Sequence, residues 1–128
     1  MKASIFICVL SCFTLIACDG LTKDEVKDFI PGVYHRHYMD EYTNSYDTVE
    51  IKLVTNEGSE GYVINKRARY QKMIDGQKTL FAYKTEQWFG SYEKDSKTLY
   101  IGKSGKRIYF DPKEGELKMG DMPYKKLN

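Results

Sequence analysis

The chain has 128 residues, enough for one domain, with 30% charged and 14% aromatic residues, a balance too aromatic for a disordered chain. Twenty Lys and Arg against eighteen Asp and Glu leave a formal charge of +2, which gives no electrostatic case for nucleic acid or for an anionic membrane surface. The three cysteines, Cys8, Cys12 and Cys18, all lie near the N-terminus, so the body of the chain can hold neither an internal disulfide nor a zinc–thiolate site.

The first segment is an apolar run. Lys2 is a minimal positive start, and residues 3–16 are apolar apart from Ser4, Ser11 and Thr14. A membrane-spanning helix needs about 20 apolar residues. This run is shorter and lacks a basic flank, so a cleaved export signal is expected. It ends in Leu15-Ile16-Ala17-Cys18, which resembles the lipobox of bacterial lipoproteins: Leu, a variable residue, a small residue, then Cys. That resemblance implies removal of residues 1–17, diacylation of the Cys18 sulfur and acylation of the new amine. Cys8 and Cys12 would leave with the peptide. Residues 18–21 would form the lipidated anchor and a short tether, and residues 22–128 a single domain. Each buried lipid methylene contributes about 0.8 kcal/mol, so several acyl chains hold a protein firmly to a bilayer. The implied place is a cell membrane or outer membrane, on the exported side, periplasmic or surface. Asp19, just after the anchor, resembles the inner-membrane retention signal of enteric bacteria.

Residues 21–30, "LTKDEVKDFI", read as one short helix. Thr22 and Glu25 have capping-box spacing, Leu21 and Val26 have staple spacing, and Pro31-Gly32 ends the helix. From Gly32 onward the pattern turns to period two. Strands are predicted over 33–39 and 46–54. In the second, Val49, Ile51 and Leu53 face inward and Thr48, Glu50 and Lys52 outward. "TNEGSEG" is a loop. A long strand over 62–74 ends in Asp75-Gly76, a strong hairpin signal, and a strand over 79–92 follows. Short hairpins then place strands over 98–102, 106–111, 116–119 and 122–127. Connections this short join antiparallel neighbours. The expected fold is all-β: an antiparallel meander of about eight strands in a closed or nearly closed barrel, preceded by the one helix.

The short helix followed by Gly32-Val33-Tyr34 resembles the opening of the lipocalins, where Gly-x-Trp holds that place and Tyr34 here replaces the Trp. The C-terminal Arg that packs over that Trp in many lipocalins has no match, with Lys125 and Lys126 nearby. A lipobox followed by a Tyr-rich β-meander also resembles small lipoproteins of Bacteroidota. Those resemblances imply a lipocalin-like barrel.

His35 and His37, the only histidines, share one face of a strand and are weak metal candidates; no third ligand is marked. No serine or cysteine is placed to be activated by either, so no catalytic residue is assigned and no enzyme is expected. "GKSGK" at 102–106 lacks both the upstream Gly and the following helix of a phosphate loop and reads as a hairpin turn. Lys66, Arg67, Arg69 and Lys72 form a basic cluster that alternation splits: Lys66 and Lys72 on one face, Arg67 and Arg69 on the other. The eleven tyrosines are the most unusual feature of the body. Their rings suit a half-buried wall, and Tyr34, Tyr38, Tyr62, Tyr70 and Trp88 are candidates for a face or cavity mouth that binds a ligand or partner.

Three functions are weighed. The first is a non-catalytic accessory module that docks to an envelope protein partner, including an immunity or inhibitor role against a toxin. The second is a lipocalin-like carrier of a small apolar ligand. An enzyme is last. No cofactor and no nucleic acid are expected. A closed barrel with an open apolar cavity favours the carrier; a filled core with an exposed Tyr/Trp patch favours the accessory module.

Overall fold

A computed structural model describes residues 24–127. The expected signal, Cys18, Leu21 and Thr22 lie outside the described residues. Helix α1 spans Glu25–Phe29. Its N-cap is Asp24, whose carboxylate accepts from the Val26 and Lys27 amides at 3.1 Å each. The capping box expected on Thr22 is thus displaced: Asp24 alone satisfies two of the orphan amides of the first turn.

Nine strands follow: β1 (Gly32–Met39), β2 (Thr43–Asn56), β3 (Ser59–Ile74), β4 (Gln77–Lys78), β5 (Ala82–Glu93), β6 (Thr98–Ile101), β7 (Lys106–Asp111), β8 (Glu116–Met119) and β9 (Met122–Lys126). All pairings are antiparallel. Eight strands run in the ring order β2-β1-β9-β8-β7-β6-β5-β3, and β3 pairs back to β2 to close it, with β4 an extra strand on β3. The fold is the expected closed β-barrel with one short helix.

Three local readings are corrected. The loop expected at 55–61 contracts to a two-residue turn. Glu57 and Gly58 take φ of +48° and +81°, and the β2–β3 ladder runs without interruption to Asn56↔Ser59. This turn twists with its flanking strands, as Asp75-Gly76 also does. Leu53, expected inside, is 43% exposed. The β1–β2 ladder ends at Gly32↔Ile51, so Leu53 lies past the last residue that has β1 beside it. The strand expected over 79–92 breaks at 79–81. The Thr79 hydroxyl bonds the Lys72 amide and carbonyl, and the Gln71 amide donates to the Thr79 carbonyl at 2.9 Å. These bonds hold the chain in a bend before β5 begins.

The barrel is narrow and its lower half is filled. Tyr34, Val49, Ile51, Tyr62, Ile64, Leu99, Ile101, Ile108, Leu117 and Tyr124 form the core, with Ile30 beneath them. Gly90 is where β5 needs no side chain: an added Cβ would lie 3.1 Å from Leu99, 3.2 Å from Ile64 and 3.2 Å from the Tyr100 carbonyl. Helix α1 plugs the end at which β1 starts and β9 stops. The Tyr34 hydroxyl lies 2.9 Å from both the Phe29 and the Ile30 carbonyl oxygens and donates its single proton between them. Phe29, Tyr34 and Phe110 pack edge-to-face around it. The Tyr92 hydroxyl donates to Asp24 at 2.6 Å, which ties the helix start to β5. Among the described residues no helix is long and apolar enough to cross a membrane.

Tyr34→Phe tests this plug. It removes the donor that both helix-end carbonyls share, so stability should fall by about 1–3 kcal/mol in urea titration, with the far-ultraviolet β spectrum retained.

Candidate functional site

The two ends of the barrel differ because the strands differ in length. β2, β3 and β5 have 14, 16 and 12 residues, whereas β6, β7, β8 and β9 have 4, 6, 4 and 5. At the helix end the short strands meet the plug. At the other end they stop early, at the β6–β7 and β8–β9 turns, and the long strands continue as a wall. Between the two turns and that wall lies an open cavity of about 500 Å³. That volume is in the range of small-molecule sites.

The cavity is built by strand register. Ile101 and Ile108 are fully buried floor residues, and Met119, Met122 and Tyr124 line the side toward β8 and β9. Trp88 stands opposite Ile64 on β5 and forms the wall. Lys66 follows Ile64 by two residues on β3, so it too faces inward, opposite Val49 on β2 and Glu86 on β5. Lys106, at the start of β7, holds its ammonium 5.4 Å from the centre of the Trp88 ring. Arg107 also borders the cavity, but its guanidinium bonds the Glu93 carboxylate and, at 3.1 Å, the Thr98 hydroxyl.

Charge at this mouth is unbalanced. Glu86 is the acid of the wall, and Lys84 bonds it at 2.9 Å. That bond holds the Glu86 carboxyl below the ordinary range, and the charges of Lys66 and Lys106 push it the same way. Neither Lys66 nor Lys106 is in an ion pair among the described residues. On the β1–β2 side of the interior, Arg36 faces Asp47 at 3.9 Å, and Asp47 also accepts from the Ser45 hydroxyl. The Tyr124 hydroxyl is buried beside them, within reach of both Arg36 and Asp47. Burial is the main cause that raises the Tyr124 hydroxyl to about 12.

The expected site residues separate. Trp88 lines the cavity. Tyr70 faces the same side from the upper part of β3, opposite Ala82. Tyr38 stands at the rim, where its hydroxyl donates to Asp40 at 2.6 Å and Arg36 covers its ring. Tyr34 and Tyr62 are buried at the helix end and line no part of the cavity. His35 and His37 point outward. His37 stacks flat on Tyr46, 4.3 Å between centroids, and its Nε2 is 2.8 Å from the Asn44 side-chain oxygen. Among the described residues no group of three metal-ligating side chains includes either histidine. Arg69 lies over the Tyr46 and Phe81 rings on this outer face, while Lys66 faces in, which is the split of the basic cluster that alternation predicts.

Residues missing from the sequence reading of the site are Tyr124, Met119, Met122, Ile101, Ile108 and Lys106. Their one sequence signal is alternation in very short strands. "GKSGK" is the β6–β7 turn, closed by the Gly105 amide donating to the Ile101 carbonyl at 2.9 Å. Its last lysine thereby reaches the cavity rim.

No family model, no curated protein and no solved structure matches this chain.

The tyrosines supply a test of the interior. Burial, as the first cause, holds Tyr34, Tyr62, Tyr92 and Tyr124 above the ordinary phenol value. Below about pH 10 folded and unfolded chains both keep these protons, so stability is unaffected. Above it only the unfolded chain ionises, so stability should fall as pH rises from about 10 toward the raised folded values. Urea midpoints followed with tyrosinate absorbance check this.

Proposed function

We propose that this chain is a lipid-anchored cell-envelope protein that carries a small apolar molecule in the open end of its barrel and catalyses nothing. The observation that carries this reading is the cavity: a closed barrel whose filled half ends in an open, largely apolar hollow walled by Trp88. Of the two binding functions the sequence allows, an accessory module needs only a filled core and an exposed patch. A hollow at one end is what a carrier requires.

A lipocalin-like ancestry is supported at the opposite end. Tyr34 and Lys126 are cross-strand partners where β1 meets β9. The Lys126 ammonium sits 4.2 Å from the Phe29 ring centre and 5.7 Å from that of Tyr34. Lys126 thus holds the place over the strand-one aromatic that an arginine takes in many lipocalins. The anchor reading adds an orientation. From Cys18 to Asp24 the chain can extend about 20 Å at most. Helix α1 and the plugged end would then face the bilayer and the cavity would open away from it.

The second reading, docking to an envelope protein, is favoured by the outer face of β1, β2, β3 and β5. There Tyr46 is sandwiched by His37 and Arg69, beside Phe81 and a Tyr83 that is 73% exposed. Such aromatic and Arg groups are enriched at interface hot spots.

The acylated chain released from its own envelope should show, by native mass spectrometry, added acyl mass and one small-molecule adduct. Cys18→Ser should abolish the acyl mass and the membrane fractionation. A chain that arrives without adduct and bound to a single protein would overturn the carrier in favour of docking.

A further inference from the structure

We infer that the molecule carried in the cavity is an amphiphile with an anionic headgroup, which Lys66 and Lys106 hold at the mouth while the apolar body lies against Trp88, Ile101, Ile108 and Met122. This deepens the carrier reading and rests on it.

At this mouth, charge is placed against apolar surface. Lysine ammonium groups are strongly hydrated, and they are normally found where water or a carboxylate surrounds them. Here register turns Lys66 into the barrel, directly above the buried Ile64. Lys106 enters the same space from the opposite turn and rests on an aromatic face. The Glu86 carboxylate nearby is committed to Lys84 at 2.9 Å. The other acid of the interior, Asp47, is committed to Arg36 and to the Ser45 hydroxyl. Three ammonium groups therefore surround one carboxylate at the rim of an apolar hollow. Two of them remain free to bind an added negative charge, and the low-dielectric floor strengthens that attraction relative to open water.

The geometry also sets polarity. The floor of isoleucine and methionine offers no charge, and the one hydroxyl of the side wall, that of Tyr124, is neutral and lies beside the Arg36–Asp47 pair, so the floor gives the charged end of a ligand no counter-charge. It must lie at the top, between Lys66 and Lys106. A cationic or uncharged headgroup would leave both lysines unpaired, and a cationic one would add repulsion. A carboxylate or a phosphate monoester fits the same pair, as a point-charge contact.

Trp88 is the single tryptophan of the chain, so the cavity contains its own reporter. The test uses the full chain in neutral phosphatidylcholine vesicles, at a pH where the acid probe is ionised. Quenching of Trp88 is measured with a brominated fatty acid, its methyl ester and the matching alkylamine. Comparing each probe on the parent chain and on Lys66→Met/Lys106→Met cancels differences in membrane partition. The acid should bind the parent chain about tenfold or more tightly than the ester. The double variant should lose that preference and leave the ester unchanged, with its circular dichroism intact. Lys106→Met alone, at an exposed turn, is the control should the double variant misfold, and it should give a partial loss. Equal quenching by acid and ester, or preference for the amine, overturns the headgroup assignment and leaves the carrier reading standing. No saturable quenching by any probe overturns both. A brominated alkyl phosphate that binds more tightly than the fatty acid supports the inference and identifies the headgroup as phosphate.

Discussion

The whole structure depends on the seam where β1 meets β9. The ring of eight strands is held shut there by the pairs Tyr34↔Lys126 and His35↔Lys125, with the Leu127 amide donating to the Val33 carbonyl at 2.8 Å. A seam this short needs side chains to support it. Tyr34 and Lys126 provide that support, because both also bind the plug. Tyr34 reaches the last carbonyls of α1, and Lys126 donates to the Phe29 carbonyl and covers its ring. Closing the sheet and seating the helix are thus one event. Burial lowers the Lys126 ammonium below its ordinary value, the electrostatic cost of putting a cation at this junction.

Unequal strand length then turns a filled barrel into a vessel. Were all eight strands as short as β6 and β8, the core would end level with Ile101 and Met119. β3 and β5 instead carry their alternation onward past Ile64 and Trp88. Their inward positions there hold Lys66, Ala68, Lys84 and Glu86 rather than isoleucine. Residue type changes along the same face at the level where the opposite wall stops. Apolar side chains fill the half that is enclosed. Long charged side chains, whose stems cover apolar surface while their heads reach water, occupy the half that is open.

The outer surface shows a similar economy. The chain His37–Asn44–Gln71–Thr79 links β1, β2, β3 and the bend before β5 through side-chain contacts of 2.8, 2.8 and 2.9 Å. Asn44 and Gln71 are buried in it, and each has its partners. A satisfied polar chain of this kind fixes where β5 begins, and hence which residues of β5 face the cavity. The tyrosines divide between roles: Tyr34, Tyr62 and Tyr124 are core, while Tyr42 and Tyr83 are exposed.

Sequence alone determined the class of fold. Clean alternation in β2, the Asp75-Gly76 turn and the short hairpins of the last third admit only antiparallel neighbours, because two or three residues cannot cross a sheet. It also determined the face of Lys66 against Arg67 and Arg69, since period two is a property of the strand itself. It placed the ends of β7 and β8 at Lys106–Asp111 and Glu116–Met119. Tertiary structure decided what alternation leaves open. Leu53 obeys the pattern and is exposed, because burial requires a neighbouring strand and β1 ends before it. Tyr34 and Trp88 read alike as half-polar aromatics, yet one is buried under the helix plug and the other walls the cavity. Lys106 and Tyr124 lie eighteen positions apart on strands too short to signal a site. Only closure of the ring set them around one hollow, because the level at which each strand stops is a relation between strands and is written in none of them.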